Sequence, residues 1–275
     1  MEMRPSAHRL SVFILSAACF TTLSGCAAVN TGQTANPISE AVNNWQIQSG
    51  TTITPSGQSP VFMTGAMQIQ GSQVTGTFIT DAICPAQPNP VENFTGTYNA
   101  STGALTLTAA PIGNIYVQLT IPSTASTVAV GTMNATGEIC ALALQGPAVG
   151  IEIAPLAGTY TGTATAASSN PPPSAPATGV ATLTLTQATP ANASAQFPIS
   201  GTLQFTASSN ACSNSTAVTG TISGTGFSLA STTPGITISG SDSASSDNLS
   251  VTNITFANGP CNTGTAATYA GSLVK

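Results

Sequence analysis

The sequence predicts an all-β protein of two tandem antiparallel eight-stranded meander barrels, and three observations carry that prediction. Apolar and polar residues alternate with period two along run after run, as in "TLTLTQ" (182–187), which is the pattern of a half-buried strand. Short clusters of turn residues separate the runs, and no segment sustains a helical period. The whole plan also occurs twice. "GAMQIQGSQVTGTFITDAIC" (65–84) runs parallel to "VATLTLTQ" (180–187), an eleven-residue insertion and "ISGTLQFTASSNAC" (199–212). Further on, "GEICALALQG" (137–146) matches "NGPCNTGTAAT" (258–268) in position. The alternative packing left open by the same strands is a pair of β-sandwiches.

The chain begins with a segment that is not part of the fold. Arg4, His8 and Arg9 precede an apolar run from Leu10 to Phe20, which is shorter than the roughly 20 residues of a bilayer-crossing helix and reads as an export signal. "LSGC" (23–26) follows and resembles the lipobox of bacterial lipoproteins. That resemblance implies cleavage after residue 25 and a lipid, such as palmitate, on Cys26. Ala27 stands where many inner-membrane lipoproteins carry an aspartate, which implies the outer membrane rather than the inner, with the domains facing the periplasm or the cell surface. Residues 26–43 read as a tether, residues 44–154 as the first barrel domain and residues 155–275 as the second.

The strands follow in order from alternation and turns. In the first half they are expected near 45–54, 61–70, 73–81, 93–99, 104–110, 115–121, 127–135 and 140–153. In the second they are expected near 157–165, 179–188, 197–207, 217–223, 226–231, 235–241, 249–256 and 265–274. "SSNPPPSAPATG" (168–179) reads as an extended proline-rich loop between strands, and the junction of the halves is the short "APLAG" (154–158). "VTGT" occurs at 74–77 and again at 218–221, with a glycine inside each strand. Alternation puts Gly76 on the face of Val74 and Phe78, and Gly220 on the face of Val218 and Ile222. A glycine on the buried face lets the strand coil, or lets a ring or another strand approach, which is how a small sheet closes. The threonines then face water, the reverse of what a transmembrane barrel requires.

Four cysteines remain besides Cys26, and exported cysteines in even number usually pair. Each half has one after its third strand and one after its seventh, so the repeat assigns Cys84 to Cys140 and Cys212 to Cys261. In an up-and-down barrel the third and seventh strands finish at the same end, so each pair belongs to one mouth. Opposite strands stand too far apart for a bridge on the wall, so the loop 84–92 is expected to fold inward as a lid. Bridges closing 56 and 49 residues (140 minus 84; 261 minus 212) would each contribute about 4 kcal/mol in the chain-entropy picture.

Charge removes several function classes. After residue 25 the sole basic side chain is Lys275, against Glu40, Asp81, Glu92, Glu138, Glu152, Asp242 and Asp247, so nucleic acid is not an expected partner. No histidine or arginine remains for a nucleophilic triad, a zinc site or an arginine clamp, and no catalytic residue, metal or cofactor is expected. The best carboxylate pair is Asp81 with Glu138, each beside a cysteine; the second half lacks both, and no sugar-stacking aromatics accompany them. Asp242 and Asp247 in "SGSDSASSDN" match no calcium-loop spacing and read as a polar hairpin.

Trp45 in "NNWQIQSG" opens the first strand ahead of a glycine-rich meander. This resembles the opening of lipocalin-like and avidin-like barrels, where such a Trp packs against one end. The repeated "VTGT", the paired cysteines and the closing glycine strand resemble lipobox lipoproteins of bacteria with tandem barrels of that kind. The resemblance covers residues 44–275 and implies a fold; it brings no activity. The second half departs from it at Tyr160 in "GTYTGT", where the Trp would stand. A non-enzymatic envelope lipoprotein, structural or protein-binding, is therefore the expected function. The alternative is a lipocalin-like binder of a small apolar ligand. Expected partners are the membrane, through the lipid on Cys26, and an envelope protein or that ligand.

Overall fold

A computed structural model describes residues 42–275 apart from 55–56, 58, 83–90, 110–113, 122–125, 137–143, 168–176, 190, 209–212, 232–234 and 258–266. The described residues fall within one compact unit, Ile38–Lys275. In chain order the strands are β1 (Val42–Ser49), β2 (Val61–Gln70), β3 (Gln73–Ala82), β4 (Val91–Asn99), β5 (Ala104–Ala109), β6 (Asn114–Thr120), β7 (Val128–Thr136) and β8 (Leu144–Ile153). They continue as β9 (Gly158–Ala166), β10 (Thr178–Gln187), β11 (Phe197–Ala207), β12 (Ser213–Ser223), β13 (Gly226–Ala230), β14 (Ile236–Asp242), β15 (Asn248–Phe256) and β16 (Ala267–Val274).

Each set of eight forms a closed barrel in which every strand pairs with its sequence neighbours. β1 pairs antiparallel with β8 to shut the first, and β16 with β9 to shut the second. The expected fold class is the one observed, and the sandwich alternative is not. Closure leaves no unpaired edge on a wall that carries almost no charge to discourage edge-to-edge association.

Alternation places one face of each strand inside. In barrel 1 the interior holds Trp45, Ile47, Met63, Met67, Phe78, Phe94, Leu105, Leu107 and Val117, all buried. Phe78 and Phe94 meet edge to face at 5.4 Å between ring centroids. Barrel 2 is filled in the same way, with Phe205 4.9 Å from Tyr269 and 5.0 Å from Phe256 across the interior. The threonines stand outside and pair across strands, as between Thr97 and Thr106 (2.9 Å), Thr159 and Thr184 (3.1 Å) and Thr161 and Thr182 (3.2 Å). Such cross-strand pairs each stabilise a sheet modestly.

The two "VTGT" glycines both lie inside, for different reasons. A Cβ on Gly76 would come within 2.5 Å of the Phe78 ring, which folds back over the glycine. A Cβ on Gly220 would drive into the carbonyl oxygen of Ser228 and sit 2.8 Å from the Cα of Leu229, because β13 coils tightly against β12 there.

Candidate functional site

Most residues singled out by the sequence reading lie outside the described set: Cys26, Cys84, Cys140, Cys212, Cys261 and Glu138. The strands around them behave as the repeat requires. β3 and β7 finish at one end of barrel 1, and β11 and β15 finish at one end of barrel 2. Asp81 is exposed near the end of β3.

The most elaborate polar arrangement among the described residues is where the barrels meet. β1 shows how it arises. Trp45 and Ile47 point into barrel 1, so alternation sends Asn44, Gln46 and Gln48 outward, yet these three are only 2%, 0% and 1% exposed. The β12–β13 turn of barrel 2 covers Asn44 and Gln46. The Asn44 side chain donates from Nδ2 to the Gly224 carbonyl at 2.8 Å and accepts from the Gly224 N–H at 2.8 Å, so one amide side chain pairs with a peptide group as a neighbouring strand would. Thr225 Oγ1 donates to Gln46 Oε1 at 3.3 Å, and Ser223 Oγ to Thr64 Oγ1 at 2.9 Å. Two further amide hydrogens go to barrel 1's own loop: Gln46 Nε2 donates to the Thr54 carbonyl and Gln48 Nε2 to the Thr52 carbonyl. Buried amides need such partners, because an unpaired one costs about as much as a lost hydrogen bond.

Apolar contacts continue the junction. Ala66, on the outer face of β2, belongs to the core cluster of barrel 2, and Val42 and Ala191 pack against the same cluster. Ala195 is fully buried with a left-handed φ of 58°, and its carbonyl oxygen lies 3.4 Å from Ser223 Oγ. It belongs to the segment that interrupts the repeat between β10 and β11. The insertion is therefore a docking loop, shaped by Asn192, whose Oδ1 accepts from the N–H groups of Ser194 and Gln196 at 2.9 and 3.0 Å.

Among the described residues, two clefts stand out on the outer walls. One, of about 370 Å³, lies between β2–β4 and the docking loop, lined by Gln68, Thr75, Thr77, Asn93, Thr95 and Asn192 among others. The other, of about 430 Å³, runs over β12–β15 among Thr221, Ser228, Ser239, Ser241 and Thr252. Both mix hydroxyl and amide groups with apolar surface, contributed by Phe227 in the larger and by Val42, Ala66, Phe94 and Ala191 in the smaller.

The acids are placed less simply than their sequence context suggests. Asp242 does not sit in a solvated hairpin: it is 5% exposed, on the inward face of β14 that also carries Ile236 and Ile238. Its Oδ2 lies 2.6 Å from Ser246 Oγ, while Oδ1 is buried with no hydrogen-bond partner among the described residues. Glu92 is likewise buried on the inward face of β4, with Thr80 Oγ1 donating to Oε1 at 3.3 Å and Oε2 unpartnered among the described residues. Glu152 sits opposite Trp45 across the closing pair of barrel 1. Burial pushes all three carboxyls above the usual range, Asp242 to about 6. Alternation alone could have found Glu92 and Asp242, since each shares the parity of apolar residues on its strand.

Comparison with protein-family models, curated proteins and solved structures returns no match to this chain.

Proposed function

We propose that the chain is a non-enzymatic lipoprotein of the bacterial cell envelope, held to the membrane by lipid on Cys26, whose coupled barrels act as a structural or protein-binding module. The observation that carries this reading is the occupancy of both barrel interiors by their own side chains. In barrel 1 Trp45, Met63, Met67, Phe78 and Phe94 take up the space, and in barrel 2 Phe197, Phe205, Phe256 and Tyr269 do so. A ligand-holding barrel of this size needs an interior left open for its cargo. The built junction supports the same reading: buried side-chain hydrogen bonds between the barrels suit a unit that presents two walls in a defined relation. The expected disulfides and the outer-membrane address belong to the proposal as well.

Native mass spectrometry of the protein purified from its own host tests the reading against the alternative, a binder of a small apolar ligand. The expected spectrum is the lipidated chain with no further adduct. A stoichiometric apolar molecule released only on unfolding would overturn the proposal in favour of that alternative. Replacing Cys26→Ser is expected to move the protein from the membrane to the soluble fraction, and continued membrane association would remove the anchor from the proposal.

A further inference from the structure

Asp242 and Ser246 stand where the second barrel meets the junction segment. Ser246 is 1% exposed and held by a left-handed φ of 55°, its N–H donating to the Ser243 carbonyl at 2.9 Å and its carbonyl accepting from Tyr160 Oη at 3.0 Å. Its Oγ lies 2.6 Å from Asp242 Oδ2 and 2.7 Å from the carbonyl oxygen of Ala154, the residue that follows barrel 1's last strand. The Ala154 N–H in turn donates to the Ala244 carbonyl at 2.9 Å. The turn after β14 thus grips the segment that joins the barrels.

A hydroxyl carries one hydrogen, and a carbonyl or an ionised carboxylate carries none to offer. With Asp242 ionised, three oxygens share one hydrogen across two short contacts, and one contact sets lone pair against lone pair. With Asp242 protonated the count closes: Asp242 donates to Ser246, and Ser246 donates to Ala154. The buried, unpaired Oδ1 points the same way, since leaving half of a carboxylate without a donor away from water is costly.

We propose that Asp242 and Ser246 form a proton-controlled latch on the barrel junction, closed while the carboxyl is protonated and weakened when it ionises. This stands apart from the functional reading above and does not depend on it. The charged and titratable neighbours are few. Asp247, on the same turn, opposes ionisation; Lys275, at the end of β16, favours it; and Tyr160 on β9, its own phenol pushed up to about 12 chiefly by burial, presents a neutral ring and hydroxyl. β13, β15 and the segment 154–157 bring no charged side chain. Burial outweighs the opposing pull of Ser246, the Ser243 backbone and Lys275, which is why the carboxyl stands at about 6. For an acid raised in the closed state, closure is favoured at low pH and is lost as pH rises from the ordinary carboxylate range through 6.

Amide exchange at Ala154 in the full chain reads the latch directly. After correction for intrinsic exchange, protection of this N–H is expected to fall by up to about a hundredfold between pH 4 and pH 6.5 and then level off. In Asp242→Asn, whose amide donates to Ser246 at every pH, protection is expected to stay near the acid value throughout. PH-independent protection in the wild type, or the same fall in Asp242→Asn, would sink the proposal. If Asp242→Asn does not fold, the Asp242 carboxyl carbon can be titrated by NMR in the wild type. A midpoint near 6 that tracks Ala154 exchange supports the latch, and one in the ordinary carboxylate range overturns it.

Discussion

Gly76 and Gly220 hold the same place in a repeated Val-Thr-Gly-Thr, and each is needed by a different neighbour. At Gly76 the missing side chain makes room for the Phe78 ring, whose edge-to-face contact with Phe94 depends on that ring position. At Gly220 the space is taken by the backbone of β13, which has no rotamer to give. Gly220→Ala is therefore expected to destabilise barrel 2 by about 1–3 kcal/mol, the cost of forcing a methyl into packed surroundings. Urea unfolding checks this, and an unchanged midpoint would show that β12 and β13 part without penalty. Face and parity of both glycines were legible in the sequence. Which neighbour claims the space was not, because that depends on how sharply each strand coils.

β1 is the element where alternation sets the faces but the fold decides what covers them. Period two places Asn44, Gln46 and Gln48 outward, and outward ordinarily means solvent. Here the outer face is covered by the Ser223–Gly226 turn and by barrel 1's own loop at Thr52 and Thr54, so the polar residues serve as buried hydrogen-bonding groups. Asn44→Ala would leave both the N–H and the carbonyl of Gly224 unpaired in a buried setting, at about 1–3 kcal/mol for each group. The expected outcome is a loss of about 2 kcal/mol or more in chemical unfolding, with faster amide exchange at Gly224. A surface-like response, within about 0.5 kcal/mol, would mean that water reaches the junction. The segment between β10 and β11 carries the same lesson: in the sequence it only breaks the repeat, whereas in the fold Ala195 is buried against the junction.

Across the whole molecule, two buried acids and the half-buried Glu152 shift stability in the same direction. Glu92, Glu152 and Asp242 all have carboxyls raised by burial, so each binds its proton more tightly folded than unfolded. Their contribution is fully present at pH below the ordinary carboxylate range and is lost as pH rises through the raised values. Stability to urea is expected to decline from pH 4 to about pH 7, with Asp242 alone accounting for up to about 3 kcal/mol. A series of unfolding curves across that range checks the sign, and Asp242→Asn should flatten the largest part of the slope. A protein that instead gained stability over this interval would require the acids to be better paired than the buried, unpartnered oxygens of Glu92 and Asp242 indicate.

Period-two alternation, turn residues and the internal repeat were enough to determine sixteen strands in two meanders, which side of each wall faces water, and which strands end together. These are consequences of local geometry: a strand's faces alternate, and a meander's ends alternate, whatever else the chain does. The junction could be decided only in three dimensions. Asn44 and Gly224 are 180 residues apart, and Ser246 reaches Ala154 across 92. Pairs of that kind leave no periodic trace in either partner, and an outward polar residue looks the same in sequence whether water or a second barrel covers it.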